Sequence, residues 1–227
     1  MNNKKVLLVG ETWVSSSTHF KGFDQFGSVT FHSGARAVKA ALKDTDYSLV
    51  HLSAHDAVED FPFSKQELNQ YSAILLSDIG ANSLLLHPDV WLHGKTVPNR
   101  LNILRDWTAE GGSLAMFGGY FSFQGIDGKA RWRCTAVEQA LPVNCLPYDD
   151  RIEVHAVIDP AHQSHPILKG ITGEWPCLLG INEVIVKPES TILARLPEDQ
   201  GGHPLLVTGK YHQGKTLVWT SDISPHW

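Results

Sequence analysis

Three carboxylates each stand directly after an apolar run: Glu11 after Val6 to Gly10, Asp78 after Ala73 to Ser77, and Asp222 after Thr216 to Ser221. In an open parallel sheet, the ends of such runs are where ligands bind, and a carboxylate there can act as acid, base or ligand for a hard metal. Asp78, Asp222 and His226 form the candidate catalytic set. Glu11, Thr12, Asn82, Gly119, Tyr120 and Ser122 form the candidate ligand-binding set. Glu11, Asp78, Asn82, Tyr120 and Asp222 are expected to line one polar pocket, because a parallel sheet puts all of these run ends on the same edge. The competing reading is that strand ends face solvent and are polar for that reason alone.

Other residues suggest other chemistries. Met116 to Phe123 has the layout of a nucleophile elbow, but Gly119 or Tyr120 stands where Ser or Cys would be needed. A tight turn packed on the sheet is the plainer reading. Ser15-Ser16-Ser17-Thr18 could cradle the phosphate of a flavin mononucleotide or cap the next helix; with no glycine between Glu11 and Lys21, capping is favoured. Cys134 follows Arg131-Trp132-Arg133 and precedes a helical segment, a setting that favours thiolate. No histidine adjoins it, and a small buried residue is the ordinary alternative. The twelve histidines include no H-E-x-x-H or H-x-H spacing, so no metal site is assigned and the cofactor is left unknown.

The elements that must position these residues can be read from periodicity. Val6–Val9, 47–53, Ala73–Leu76 and Leu114–Phe117 read as strands, the first buried on both faces. Residues 33–44 read as a helix capped by Ser33, with Ala37, Val38, Ala41 and Leu42 on one face. Ser64 to Glu67 is a capping box. Residues 79–97 form a long connection, Pro98 opens a helix carrying Leu101, Leu104 and Trp107, and Gly111-Gly112 stops it. Residues 135–141 read as a further helix and 151–158 as a half-exposed strand. Three strands, 191–196, 205–208 and 216–220, close the chain as an antiparallel meander with turns at Gly201-Gly202 and Gly214. The βαβα rhythm predicts an α/β fold with a mainly parallel sheet and helices on both faces.

Composition sets the limits. The 227 residues suit one domain, 1–227, with 42% hydrophobic and 19% charged residues, which excludes a disordered chain. A net charge of −5 argues against nucleic acid or an anionic membrane as partner. No run reaches membrane-spanning length, and the apolar stretch at the start is too short for a signal peptide. Three cysteines, Cys134, Cys145 and Cys177, make no C-x-x-C pair, which fits reduced thiols in the cytoplasm. Trp91, Leu92 and Trp132 fall in loops, and large apolar residues there point to a homo-oligomer interface.

Taken together, Gly10-Glu11-Thr12-Trp13, 77–82 (Ser77 to Asn82), 85–89, 97–101, 117–125, 146–151 and the closing 220–227 make the sequence recognisable. The chain resembles, from residue 5 to the end, a bacterial family of glutamine-amidotransferase-like proteins related to the trehalose-utilisation type. The resemblance implies a flavodoxin-like three-layer sandwich. The superfamily's glutaminases use an elbow Cys, activated by a His that a Glu orients. Here Gly119 and Tyr120 stand at the elbow, and Ser221-Asp222 stands in place of the His, so thiol-dependent glutamine hydrolysis is not expected. Two readings stay open: a protein that binds a small polar metabolite or a partner, and an enzyme using the Asp78, Asp222 and His226 cluster, with or without a metal.

Overall fold

A computed structural model describes residues 4–156, 164–171, 175–224 and 227. Strand β1 (Lys4–Gly10) lies next to one edge of the sheet and is followed at once by β2 (Thr12–Lys21) and β3 (Asp24–Ser33). Helix α1 (Arg36–Leu42) leads to β4 (Tyr47–Leu52); α2 (Ala54–Asp60) and α3 (Lys65–Leu68) lead to β5 (Tyr71–Ser77). The long connection then holds α4 (Ala81–Leu85) and α5 (Pro88–Trp91) before α6 (Arg100–Ala109) and β6 (Ser113–Phe117). Next come α7 (Ala136–Ala140), β7 (Val143–Cys145), β8 (Arg151–Ala156), β9 (Leu178–Asn182) and β10 (Val184–Val186). The meander β11 (Thr191–Arg195), β12 (Pro204–Tyr211) and β13 (Gly214–Trp219) ends the order.

The main sheet runs β11-β12-β13-β6-β5-β1-β4. From β4 to β13 all neighbours are parallel, and β12 and β11 add on antiparallel. This is the expected α/β architecture. β4 lies on one side of β1 and β5 on the other, so the strand order reverses at β1, and the crevice beside its carboxyl end is where such sheets take ligands.

The two faces of this sheet differ. One carries Leu7, Ile74, Leu76, Leu114, Met116, Val207 and Val218, which pack with Phe61, Leu68, Leu84, Leu104 and Trp107 from the helical layer. On the other face β8 and β9 cover β11 to β13 through Ile181, Leu193, Ala194 and Leu206. Helix α1, between β3 and β4, packs against β4 at the sheet edge and buries none of its residues. Ala73, Leu75 and Leu217 on that face are half-buried, and a groove of about 1030 Å³ is lined by Ala73, Ala115 and Leu217 among others.

Three local expectations change. Ser33 ends β3 and does not cap α1, whose N-cap is Ala35 without a side-chain bond. Ser15 to Thr18 form no cap and no phosphate loop; they lie inside β2, ladder-paired with β3. Asn99, not Pro98, starts α6, because its Oδ1 accepts the N–H groups of Leu101 and Asn102 at 3.0 and 3.2 Å. The capping box forms in part: the Ser64 hydroxyl accepts the Glu67 N–H, while the Glu67 carboxylate accepts the Phe63 N–H and the Ser64 hydroxyl and not the Ser64 N–H. Of the strand expected over 151–158, β8 covers 151–156, and 157–158 lie outside the described residues.

Candidate functional site

The backbone turns sharply at the ends of β1, β5 and β6, and sequence explains each turn. Gly10 has φ +103°, and a Cβ there would lie 2.0 Å from the Ser77 carbonyl oxygen, so only glycine fits. Glu11 follows at φ +56°, tied by its N–H to that same Ser77 oxygen at 2.9 Å. Asp78 stands at φ +44°, its N–H donated to the Ser122 hydroxyl at 3.1 Å. Non-glycine residues in this left-handed region cost free energy and persist only where surrounding bonds impose them. Two such residues side by side at the reversal of strand order mark this crevice as a site built under constraint.

Gly119 stands in the turn after β6. Its φ is +142°, and a Cβ would come within 2.8 Å of Asp78 Oδ1. That oxygen accepts the Phe121 N–H at 2.7 Å. The Gly119 N–H is donated to Asn182 Oδ1 at 2.9 Å, and Asn182 Nδ2 donates to Asp150 Oδ1 at 2.8 Å. Asp150 also accepts the N–H groups of Gln124 and Gly125, while its burial pushes the carboxyl pKa up. Beyond Gly119 the chain continues in turns and a short 3-10 segment (Ile126–Gly128), and the next α-helix in sequence is α7. The region is therefore a tight turn held by a buried amide–carboxylate relay, not a strand-to-helix elbow.

Above these turns lies a cavity of about 430 Å³ lined by Trp13, Val14, Asp78, Tyr120, Phe121, Asp222 and Trp227. Asp222 reaches it because β13 runs parallel to β6, and its Oδ1 accepts the Ser224 N–H at 2.8 Å. Tyr120 meets Trp227 edge-on with ring centroids 5.5 Å apart, and the Arg151 guanidinium lies 5.0 Å from the Tyr120 ring centroid. Arg151 is itself paired with both oxygens of Asp149 at 3.0 and 2.8 Å, which holds the Asp149 carboxyl well below the usual carboxylate range. Trp227 lies flat on β9, where a Cβ on Gly180 would be 2.6 Å from its ring.

The residues singled out from sequence fall into three groups. Asp78, Tyr120 and Asp222 share the cavity. Glu11, Thr12, Gly119 and Ser122 lie under or beside it. Glu11 is buried with its carboxylate accepting the Ser77 hydroxyl, and Thr12 Oγ1 accepts the Ala54 N–H at 2.8 Å. Asn82 is exposed on α4 and lines no described cavity, and His226 lies outside the described residues. Trp13, Val14, Phe121 and Trp227 were missed. Trp13, immediately after the Gly10-Glu11-Thr12 turn, was the available signal.

The cysteines stay apart from the cavity. Cys145 is buried, and burial pushes its thiol pKa well up. Cys134 is exposed at φ +61°, its N–H donated to the Glu138 carboxylate at 2.6 Å. Trp132, expected in an interface, is fully buried with its Nε1 donating to the Ile79 oxygen at 2.9 Å. Among the described residues, no group of three or more His, Cys, Asp or Glu is placed to hold a metal ion, and no helix is long and apolar enough to cross a membrane.

The sequence pattern of the family described as "Putative glutamine amidotransferase" matches residues 5–227. The chain belongs to that family. Cytoplasmic Protein STM3548 from Salmonella typhimurium is 36% identical and superimposes with a TM-score of 0.92 over 98% of this chain and 89% of its own. Cytoplasmic Protein STM1381 from Salmonella typhimurium LT2 is 39% identical, with the same TM-score over 98% of this chain and 90% of its own. A thua-like protein from Bacteroides uniformis, 10% identical over 98% of this chain and 84% of its own, shares the fold at a TM-score of 0.57. No curated protein matches the chain. The fold is thus that of the family over almost its whole length.

Proposed function

We propose that this family member binds a small, polar, positively charged metabolite in the cavity between Asp78 and Asp222, and does not hydrolyse glutamine through a thiol. The observation that carries the reading is the lining. Trp13, Tyr120, Phe121 and Trp227 give aromatic walls, Asp78 and Asp222 give two carboxylates, and no lining residue among the described ones is basic. Aromatic faces and carboxylates together suit an ammonium or guanidinium group. Against glutaminase chemistry stand the absent side chain at Gly119 and the engagement of its N–H by Asn182, which leaves that donor unavailable to an oxyanion. Placement in the cytoplasm is supported by the names of the two Salmonella relatives, and residues 1–227 are read as one domain.

A second reading, an acid–base enzyme built on the same two carboxylates and His226, draws on the left-handed backbone at Asp78, since such strain gathers at active sites. Titration calorimetry with agmatine and tetramethylammonium, beside an ammonia-release assay with glutamine, tests the proposal. Saturable binding that falls at least tenfold in Asp78→Asn and Asp222→Asn is expected, with no ammonia released. Binding that ignores both substitutions, or ammonia release abolished by iodoacetamide, overturns it.

A further inference from the structure

The β2–β3 ribbon contributes little to its own body. Its ten cross-strand pairs run from Thr12–Ser33 to Lys21–Asp24, closed by Gly22-Phe23 with Gly22 at φ +67°. Beyond Trp13 every residue of β2 is exposed, as are all of β3 save His32. An isolated two-stranded ribbon is marginal in water, and this one has two open edges. Its faces are also the wrong kind for solvent. Val14, Phe20, Val29 and Phe31 share one face, with only Thr12, Ser16, Thr18, Gln25, Gly27 and Ser33 between them. The other face carries Trp13 stacked on His32 and His19 stacked on Phe26, with centroids 4.9 and 4.7 Å apart. Lys21 and Asp24, paired at the tip, are the ribbon's formal charges, and they cancel.

We infer that residues 12–33 are an association arm covered by a second copy of this chain. The exposed area fits that occupant. Phe20 is 70% exposed, Phe26 53%, Phe31 59%, and Phe23 wholly exposed; at ~200 Å² per ring these four leave roughly 600 Å² in water, and Val14 and Val29 bring the arm close to the ~800 Å² each partner buries in a stable interface. A second copy also answers a second vacancy. Among the described residues, a groove lined by Ala73, Ala115 and Leu217 leaves apolar sheet surface open, so two copies can satisfy both apolar surfaces in one closed, reciprocal arrangement. The absence of net charge on the arm suits such self-pairing in a chain of net charge −5, because copies do not repel where they meet. Trp13 and Val14 belong both to the arm's base and to the cavity wall, so association also fixes one side of that cavity.

Light scattering on the purified chain at micromolar concentration tests this. Wild type is expected at the mass of two or more copies, and the double variant Phe20→Asp/Val29→Asp at the mass of one, with an unchanged far-ultraviolet spectrum because neither side chain reaches the core. Should the variant misfold, amide exchange of wild type decides: protection of residues 12–33 should rise at least tenfold as concentration passes through the association range. A monomeric wild type, an intact assembly in a folded double variant, or arm protection that is independent of concentration would overturn the inference.

Discussion

Two arginines, Arg100 in the helical layer and Arg151 in β8, work under opposite conditions. Arg100, on the helical face, is fully buried: its guanidinium donates to the carbonyls of Ala57, Val58, Phe61, Ser83 and Leu84, and stacks 4.7 Å from the Phe63 ring centroid. It thereby ties the ends of α2 and α4 to the start of α6, where helix carbonyls lack partners of their own. Burial pulls its pKa down to about 10, so it stays charged at neutral pH. Arg151, on the β8–β9 side, is part-exposed and paired with Asp149. The helical face is completed within the chain. Among the described residues, the other face leaves apolar surface open.

The largest expected effect comes from breaking the buried member of this comparison. Arg100→Met keeps the apolar bulk but strands carbonyls from two helix ends without donors, and it should cost about 3–5 kcal/mol. Urea unfolding at pH 7 measures it. A loss below about 1 kcal/mol would mean that water reaches those carbonyls and that the helical face is not closed as described.

Adjacent residues of β5 sharpen the contrast. Leu76 points into the helical core and is 1% exposed, whereas Leu75 faces the half-covered side. Leu76→Ala should cost about 2–5 kcal/mol, the range for a buried leucine, and Leu75→Ala about 1 kcal/mol in the monomer, because less surface is lost and no closed cavity forms. Equal losses at concentrations where the chain self-associates, with unequal losses on dilution, would show the open face to be covered by a second copy.

Much of this was legible in sequence because strands β1, β5 and β6 carry near-continuous apolar runs that only a buried parallel sheet demands. The turn residues Gly10, Asp78 and Gly119 were legible as strand ends for the same reason. The β2–β3 ribbon was not. Its three consecutive serines break the alternation that marks a half-buried strand, and a ribbon solvated on both faces imposes no inside pattern; its only local signal is Lys21-Gly22-Phe23-Asp24 between two ten-residue segments. The aromatic wall was half legible. Tyr120 could be placed by its strand end, but Trp227 reaches the cavity through packing on Gly180, a contact of long sequence separation that no local spacing encodes.

The smallest effect concerns the exposed arginine pair. The Asp149 carboxyl is held below its ordinary value chiefly by the Arg151 hydrogen bonds, and the N–H groups of Asp127 and Arg151 reinforce this. A carboxyl with a lowered folded pKa adds stability above its unfolded value, near 4, and loses it as pH falls toward the folded value. Asp149 is about one-third exposed, so solvent screening limits the contribution to below about 1 kcal/mol. Its neighbour Asp150 has the opposite sign: burial raises its pKa, so its protonation favours the fold at low pH, and the two must be separated by substituting Asp149 alone. Asp149→Asn should therefore lower the urea midpoint slightly at pH 6, and the gap to wild type should shrink steadily on acidification below pH 4. Arg151 would lose its anchor under Tyr120, so the same variant should weaken agmatine binding more than it weakens the fold. A gap that widens on acidification would show that Asp149 is not ionised in the folded protein, and the polar fastening on the β8–β9 side would then rest on Asp150 and Asn182 alone.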